Sequence, residues 1–228
     1  MDNYISDLYD FLEQVEQNNN REWVHANKDE FDRQRSLWLA DIDRLIRLMA
    51  MQDPSLKNCT AKKAAYRFYR DTRFSADKSP YKTFFSAIIT PYGKNDMRAC
   101  YYLQMGLHRP DRDLHSGVYG GIWWPDTATL SKLRKAIVDN IEEFTEITTT
   151  PQMMKYFPRW EGERLKTIPK GWDRNHPQAE LLKMKHLAKA HILDKQFFMQ
   201  PDWIEKTADL FMILKPLNDF INYSIDEE

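Results

Sequence analysis

The first apolar pattern in the chain has helical spacing. Leu8, Phe11, Leu12 and Val15 fall at i, i+3, i+4 and i+7 and predict a short amphipathic helix. Asn18-Asn19-Asn20 ends it, and Asn19 with Glu22 three residues on predicts a capping box that opens a second, longer helix. Phe31, Trp38, Ile42, Leu45 and Met49 hold one face of that helix, Asp32, Arg33, Asp43 and Arg44 lie off it, and Asp53-Pro54 stops it.

The period then changes from about 3.6 to 2. Phe84 to Thr90 is a short apolar run, and Pro91-Tyr92-Gly93-Lys94-Asn95-Asp96 is a turn cluster. Ala99, Tyr101, Leu103, Met105 and Leu107 then alternate with Cys100, Tyr102, Gln104 and Gly106, so the pair predicts a β-hairpin. Gly117 to Trp124 reads as a third strand in which Gly120-Gly121 marks a bulge or a close backbone approach. Pro125-Asp126 opens a helix striped by Leu130, Leu133, Ile137 and Ile141.

Weaker strand patterns, Arg164 to Ile168 and His186 to Leu193, lie on either side of the turn Pro169-Lys170-Gly171. A last helix starts near Pro201 with Ile204, Ala208, Phe211 and Leu214 in register, and Pro216 is expected to kink or break it before Leu217, Phe220 and Ile221. No linker, repeat or low-complexity tract interrupts the pattern. The expectation is an α+β class and a single domain over residues 1–228, with a mainly antiparallel sheet flanked by N-terminal, central and C-terminal helices.

Composition narrows the chemistry. Only 7 of the 228 residues are glycine, under half the usual share of about 7%. There is no Gly-x-Gly-x-x-Gly and no Gly-x4-Gly-Lys-Ser/Thr, so neither the dinucleotide fingerprint nor a P-loop is available. Any bound anion must therefore be held by side chains. A Gly-x-Ser-x-Gly elbow and a His-Glu-x-x-His pair are also absent, and neither His108 with His115 nor His186 with His191 has i, i+4 spacing. The sequence implies no cofactor and no metal.

Met1 to Phe11 is acidic and lacks the order of a secretory signal, and no apolar run reaches the roughly 18 residues that span a bilayer. Cys59 and Cys100 read as small buried hydrophobes rather than as a disulfide framework. These features predict a soluble cytoplasmic protein with no membrane partner.

The net charge of −1 hides a segregation: residues 62–82 carry 7 basic and 2 acidic groups, and residues 163–195 carry 8 and 4, inside an acidic frame. In the first block Arg67, Arg70 and Arg73 recur every third residue among Tyr66, Phe68, Tyr69 and Phe74, and Ser79-Pro80 turns the chain to present Tyr81 and Lys82. Guanidinium groups grip carboxylate or phosphate through paired hydrogen bonds. Arg67, Arg70, Arg73, Lys78 and Lys82 are therefore candidate anion ligands, oriented by Asp71 and Asp77. The competing reading is structural, with those two aspartates or the acidic helices simply holding the arginines. Lys170, beside the Gly171 turn, is the candidate from the second block. The candidates for proton transfer are Tyr81, His176 and Asp71. Trp123-Trp124 with Tyr119 reads as a core plug under the central helix, or alternatively as the apolar wall of a cleft.

The run Arg67-x-x-Arg70-Asp71-x-Arg73-Phe74-Ser75-x-Asp77-Lys78-x-Pro80-Tyr81-Lys82 resembles the signature of an uncharacterised family, domain of unknown function 2461. Asn20-Arg21-Glu22-Trp23, Gly120-Gly121 with Pro125, Pro169-Lys170-Gly171 and His176-Pro177 extend the resemblance over almost the whole chain, with Val24 and Trp172 as departures. The resemblance implies one α+β domain inside the cell with no assigned activity, and it transfers no catalytic residue. The reading of the residues themselves is a protein that binds or acts on a small phosphate- or carboxylate-bearing ligand through an Arg/Lys/Tyr cluster. The alternative is a non-catalytic interaction module for a protein or nucleic-acid partner, with the arginine motif purely structural. The near-neutral balance of charge disfavours nucleic acid.

Overall fold

A computed structural model describes residues 4–108 and 115–227. Its first helices are α1 (Ile5–Gln17), α2 (Arg21–Ala26), α3 (Lys28–Ala50) and, after a 3-10 turn at Pro54–Asn58, the short α4 (Ala61–Ala64). Three strands follow, β1 (Phe84–Ile89), β2 (Cys100–Gly106) and β3 (Gly117–Ile122). The central helices are α5 (Thr127–Asp139), α6 (Ile141–Thr148), α7 (Pro151–Tyr156) and α8 (Ala179–Leu182). Strand β4 (Leu187–Ile192), the short α9 (Lys195–Phe198) and the long α10 (Trp203–Asp226) complete the chain. The four strands form one antiparallel sheet in the order β1-β2-β3-β4, so the fold is α+β with N-terminal, central and C-terminal helices. Among the described residues no helix is long and apolar enough to cross a membrane.

By its internal contacts the chain divides into two compact units. The first comprises Met1–Lys94, Tyr102–Val118 and Ile192–Asp209, and the second Asn95–Tyr101, Tyr119–His191 and Leu210–Glu228.

In the first unit the apolar stripe of α1 is buried as its spacing requires, and Trp38, Ile42, Leu45, Ile46 and Met49 of α3 are buried with it. Rings tie these helices to the basic stretch. Phe31 lies 5.0 Å from Phe68, Phe68 lies 5.4 Å from Phe85, and Trp38 lies 5.4 Å from Phe85, centroid to centroid. Burying each such ring contributes on the order of 1.5–3 kcal/mol, so this cluster fixes where the basic stretch sits.

Two details of the helical entry depart from expectation. The long second helix is two helices parted at Asn27, whose side chain donates to the Trp23 carbonyl at 2.8 Å. The cap of α2 is Asn20, not Asn19: the Asn20 backbone is extended, as a cap requires, and its Oδ1 accepts the Trp23 N–H at 2.9 Å. The Asn19 side chain is committed elsewhere, to Tyr81.

In the second unit the paired glycines of β3 mark a close approach. A Cβ on Gly120 would meet the Leu214 side chain of α10 at 2.8 Å, and one on Gly121 would meet the Leu187 carbonyl oxygen at 2.0 Å. Asn218 of α10 accepts the Gly121 N–H at 2.7 Å, and Asn222 brackets Ala99, accepting its N–H at 2.8 Å and donating to its carbonyl at 3.1 Å. Pro216 neither breaks nor ends α10, which runs unbroken from Trp203 to Asp226. The proline ring is exposed, while Leu214, Leu217, Phe220 and Ile221 are buried on the opposite side. Their combined burial outweighs the roughly 3 kcal/mol that an interior proline costs a helix.

Of the weaker patterns, His186 to Leu193 becomes β4, whereas Arg164 to Ile168 supplies only one isolated bridge, Arg164 to Met184. The aromatic plug is realised at Tyr119, which is 2% exposed, but Trp124 is 65% exposed and sits at φ 47°. Its N–H donates to Nδ1 of the buried His186 at 2.9 Å, which holds the turn in that conformation. Cys59 and Cys100 are free thiols and half-buried rather than fully inside. Burial pushes the Cys100 thiol up to about 12.

Candidate functional site

The basic stretch folds as a hairpin. Residues 65–70 run antiparallel to residues 80–87, with bridges Ala65 to Ala87 and Tyr69 to Tyr81. The N–H groups of Tyr66, Arg70 and Lys82 donate to the carbonyls of Ser86, Pro80 and Phe68, each at 2.9 Å. Pro80 stands at the start of the returning strand, where a missing donor costs least. The hydrophobic pattern did not announce this pairing, because charged residues interrupt the alternation on both arms.

The loop between the arms, residues 71–79, spends its charges on itself. Arg73 donates through Nε and Nη2 to both Asp71 oxygens, at 3.0 and 2.6 Å. Arg70 pairs with Asp77 and also donates to the Ser79 carbonyl at 3.2 Å and to Ser75 Oγ at 3.4 Å. Lys78 donates to the Thr72 carbonyl at 2.9 Å. Hydrogen bonds from Arg73 hold the Asp71 carboxyl at about 2, and those from Ser79 hold Asp77 lower still. Asp71 therefore stays ionised throughout the neutral range, which suits a fixed acceptor rather than a proton donor.

Arg67 and Lys82 stand differently. Neither has a carboxylate within ion-pair distance among the described residues, and the same holds for Arg35 of α3 and for Lys94 in the turn after β1. Lys82 Nζ lies 5.2 Å from the Tyr66 ring and 5.5 Å from the Phe84 ring, and Lys94 Nζ lies 5.4 Å from Tyr66 on its way to the Ala65 carbonyl. Burial, then the positive charges of Arg67 and Lys94, bring the Lys82 ammonium down to about 8. Burial and the Arg35 charge lower Lys94 in the same way. The charges of Arg67 and Arg35 thus bear on two lysines that both lie beside the Tyr66 ring.

Lys94 also lines a cavity of about 320 Å³, together with Lys63. Thr60, Asn58, Ser55 and Thr90 supply hydroxyl and amide groups to its wall, and no acidic residue lines it. Lys94, Lys63 and Arg35 are not among the anion ligands that the sequence pattern suggests. Each is unremarkable locally, and only the folded chain sets Lys94 in one cavity with Lys63 and within electrostatic reach of Arg35.

Tyr81 is 3% exposed, and its hydroxyl is hydrogen-bonded to that of Tyr69. Burial, chiefly, pushes its phenol up to about 12, so it remains protonated at neutral pH. Lys170 and His176 belong to the second unit. Lys170 is exposed, and His176 accepts the Gln178 N–H on Nδ1 at 3.0 Å with Trp172 edge-on at 5.4 Å. Among the described residues no group of three or more His, Cys, Asp and Glu side chains is placed to hold a metal ion.

Compared with known families, residues 7–220 match the one described as conserved hypothetical protein (DUF2461), and the chain belongs to that family. No curated protein and no solved structure matches it.

Proposed function

We propose that this member of the family binds a small phosphate- or carboxylate-bearing ligand at the Lys63–Lys94 cavity, with Arg67, Lys82 and Arg35 supplying the surrounding positive field. The observation that carries the reading is Lys82: an ammonium drawn out of water, facing like charges and lacking a carboxylate partner among the described residues. An anion between these groups removes the repulsion and returns the lysine toward its ordinary affinity for a proton. The cavity is of a size that small polar ligands fill, and its wall offers donors rather than competing acceptors of charge. The loop arginines Arg70 and Arg73 shape the hairpin in this reading. The two free thiols support a cytoplasmic setting.

The test is thermal-shift titration with inorganic phosphate, pyrophosphate and citrate. A ligand at about 100 times its dissociation constant adds roughly 2.7 kcal/mol of apparent stability, a shift of several degrees. That shift is expected for the wild type and for Arg73→Ala, and is expected to vanish in Lys94→Met and Lys82→Met. An equal response in Lys94→Met, or none in the wild type, removes the proposal.

One observation favours the interaction module. Phe74 at the loop tip is 96% exposed, with the Arg73 guanidinium 5.8 Å from its ring. That surface predicts binding whose affinity falls steeply with salt if the partner is nucleic acid, because neutralised phosphates release counterions. Phe74→Ala would abolish it while leaving the phosphate response intact.

A further inference from the structure

A second pocket, of about 470 Å³, is lined by both Tyr69 and Tyr81 of the motif hairpin. It shares no lining residue with the Lys63–Lys94 cavity. Its floor is aromatic: Phe31, Phe68 and Tyr81 have successive centroid separations of 5.0 and 5.7 Å. Tyr69, 54% exposed, stands at its mouth with its ring 4.8 Å from that of Tyr81.

Most of the polar lining is basic. Arg21 and His25 of α2 and Lys28 of α3 line the pocket, and no carboxylate does. Lys28 is committed to Asp32, but Arg21 and His25 have no ion-pair partner among the described residues. The Arg21 charge is close enough to act on the Tyr81 hydroxyl.

Rings as walls and a free guanidinium at the rim select a ligand with both features. Aromatic groups gain most when stacked or edged against other rings at 4.5–7 Å, the spacing already present here. A guanidinium gains most from a planar two-oxygen anion. The floor is held in place by the clamp between Asn19 and the Tyr81 backbone, so the pocket exists before a ligand enters. We propose that this pocket binds a small aromatic anion, its ring slotted against Phe68 and Tyr81 under the Tyr69 edge and its charged group on Arg21 and His25.

Four probes separate the parts of the claim: benzoate, phenyl phosphate, benzamide and acetate, measured by ligand-observed NMR and calorimetry on the intact protein. Benzoate is expected to bind at least about tenfold more tightly than uncharged benzamide or ringless acetate. The ratio of benzoate to phenyl phosphate identifies which anionic group the rim prefers. Arg21→Gln should erase the preference for benzoate over benzamide, and Tyr69→Ala should weaken both aromatic probes several-fold. Both side chains are exposed, and far-ultraviolet circular dichroism verifies that the variants fold. Lys94→Met should leave benzoate binding unchanged, which separates this pocket from the cavity described above. The proposal fails if benzoate binds no better than benzamide, if Arg21→Gln leaves the ratio as it was, or if Lys94→Met abolishes benzoate binding.

Discussion

Asn19 and Tyr81, 62 residues apart, are joined by two hydrogen bonds that make the asparagine side chain a stand-in for a strand neighbour. The Asn19 Nδ2 donates to the Tyr81 carbonyl at 3.1 Å, and the Tyr81 N–H donates to Asn19 Oδ1 at 3.0 Å. The turn after α1 thereby fastens the returning arm of the hairpin, and with it the tyrosine that floors the aromatic pocket. Asn19→Ala leaves both Tyr81 backbone groups part-buried and unmet, at a cost of about 1–3 kcal/mol. Asn19→Asp keeps the acceptor but sets a carboxylate oxygen against the carbonyl, and should cost at least as much. Chemical denaturation of the two variants checks this, and an alanine variant as stable as the wild type would refute the clamp.

How much of this was legible beforehand divides along the range of the interactions. The stripe of α1, the alternation of β2 and the turn at Pro91 to Asp96 are local patterns, and the structure contains all three. The choice between Asn19 and Asn20 as the helix cap was not local, because it depends on a partner 62 residues away. The hairpin was illegible for a related reason. Its arms pair through backbone groups while their side chains alternate between charge and ring, so neither period appears. The candidate site was half visible: Arg67 and Lys82 lie inside the conspicuous basic run, while Lys94 and Arg35 join them only once β1 and α3 are packed. Pro216 shows the opposite failure, a strong local rule overridden by buried neighbours on α10.

The two pairs in the motif loop should respond unequally to truncation. The Arg70 side chain is 18% exposed and reaches Asp77, the Ser79 carbonyl and Ser75 Oγ, whereas that of Arg73 is 76% exposed and among the described residues hydrogen-bonds to Asp71 alone. Solvent screens the second pair far more than the first. Arg70→Ala is expected to cost about 1–2 kcal/mol, and Arg73→Ala to leave the unfolding midpoint where it was. Equal losses in the two variants would mean that the loop is held by something other than these contacts.

Two glycines with nearly the same backbone angle offer a clean comparison. Gly93 has φ 92° with nothing within 4 Å of an added Cβ, while Gly121 has φ 105° with the Leu187 carbonyl oxygen only 2.0 Å from one. Gly93→Ala carries the left-handed strain alone, roughly 1 kcal/mol. Gly121→Ala adds a backbone clash in the sheet that no side-chain rotation relieves, so the expected loss is about 4 kcal/mol or failure to fold. Urea titrations of the two variants measure the difference, and a small, equal loss at both sites would show that β3 and β4 can separate at that point without penalty.

The lysine that carries the functional reading also sets a pH dependence with a definite sign. Lys82 falls to about 8 in the folded protein from an ordinary value of 10.5, and Lys189, 2% exposed and donating to the Phe157 carbonyl at 2.8 Å, falls to about 8 as well. Between those two limits the unfolded chain holds more protons than the folded one, so stability rises as pH climbs from about 8 toward 10.5. Tyr9 and Tyr81 act in the opposite sense. Their phenols are raised from 10.0 to about 12, so the stability they contribute is lost as pH rises above 10. Burial raises the Cys59 and Cys100 thiols from their ordinary value of 9.0, so they too oppose the lysines once pH passes about 9. The informative window is therefore about pH 8 to 9, where the lysines titrate ahead of the thiols and phenols. Melting curves across that window should rise with pH in the wild type, and rise less in Lys82→Met, which keeps the contributions of Lys189 and Lys94. Saturating phosphate should flatten the wild-type slope toward that of the variant, because an anion beside Lys82 restores its proton affinity. A slope that neither the substitution nor phosphate alters would mean that Lys82 is already compensated in solution, and the case for an anion at this cluster would fall with it.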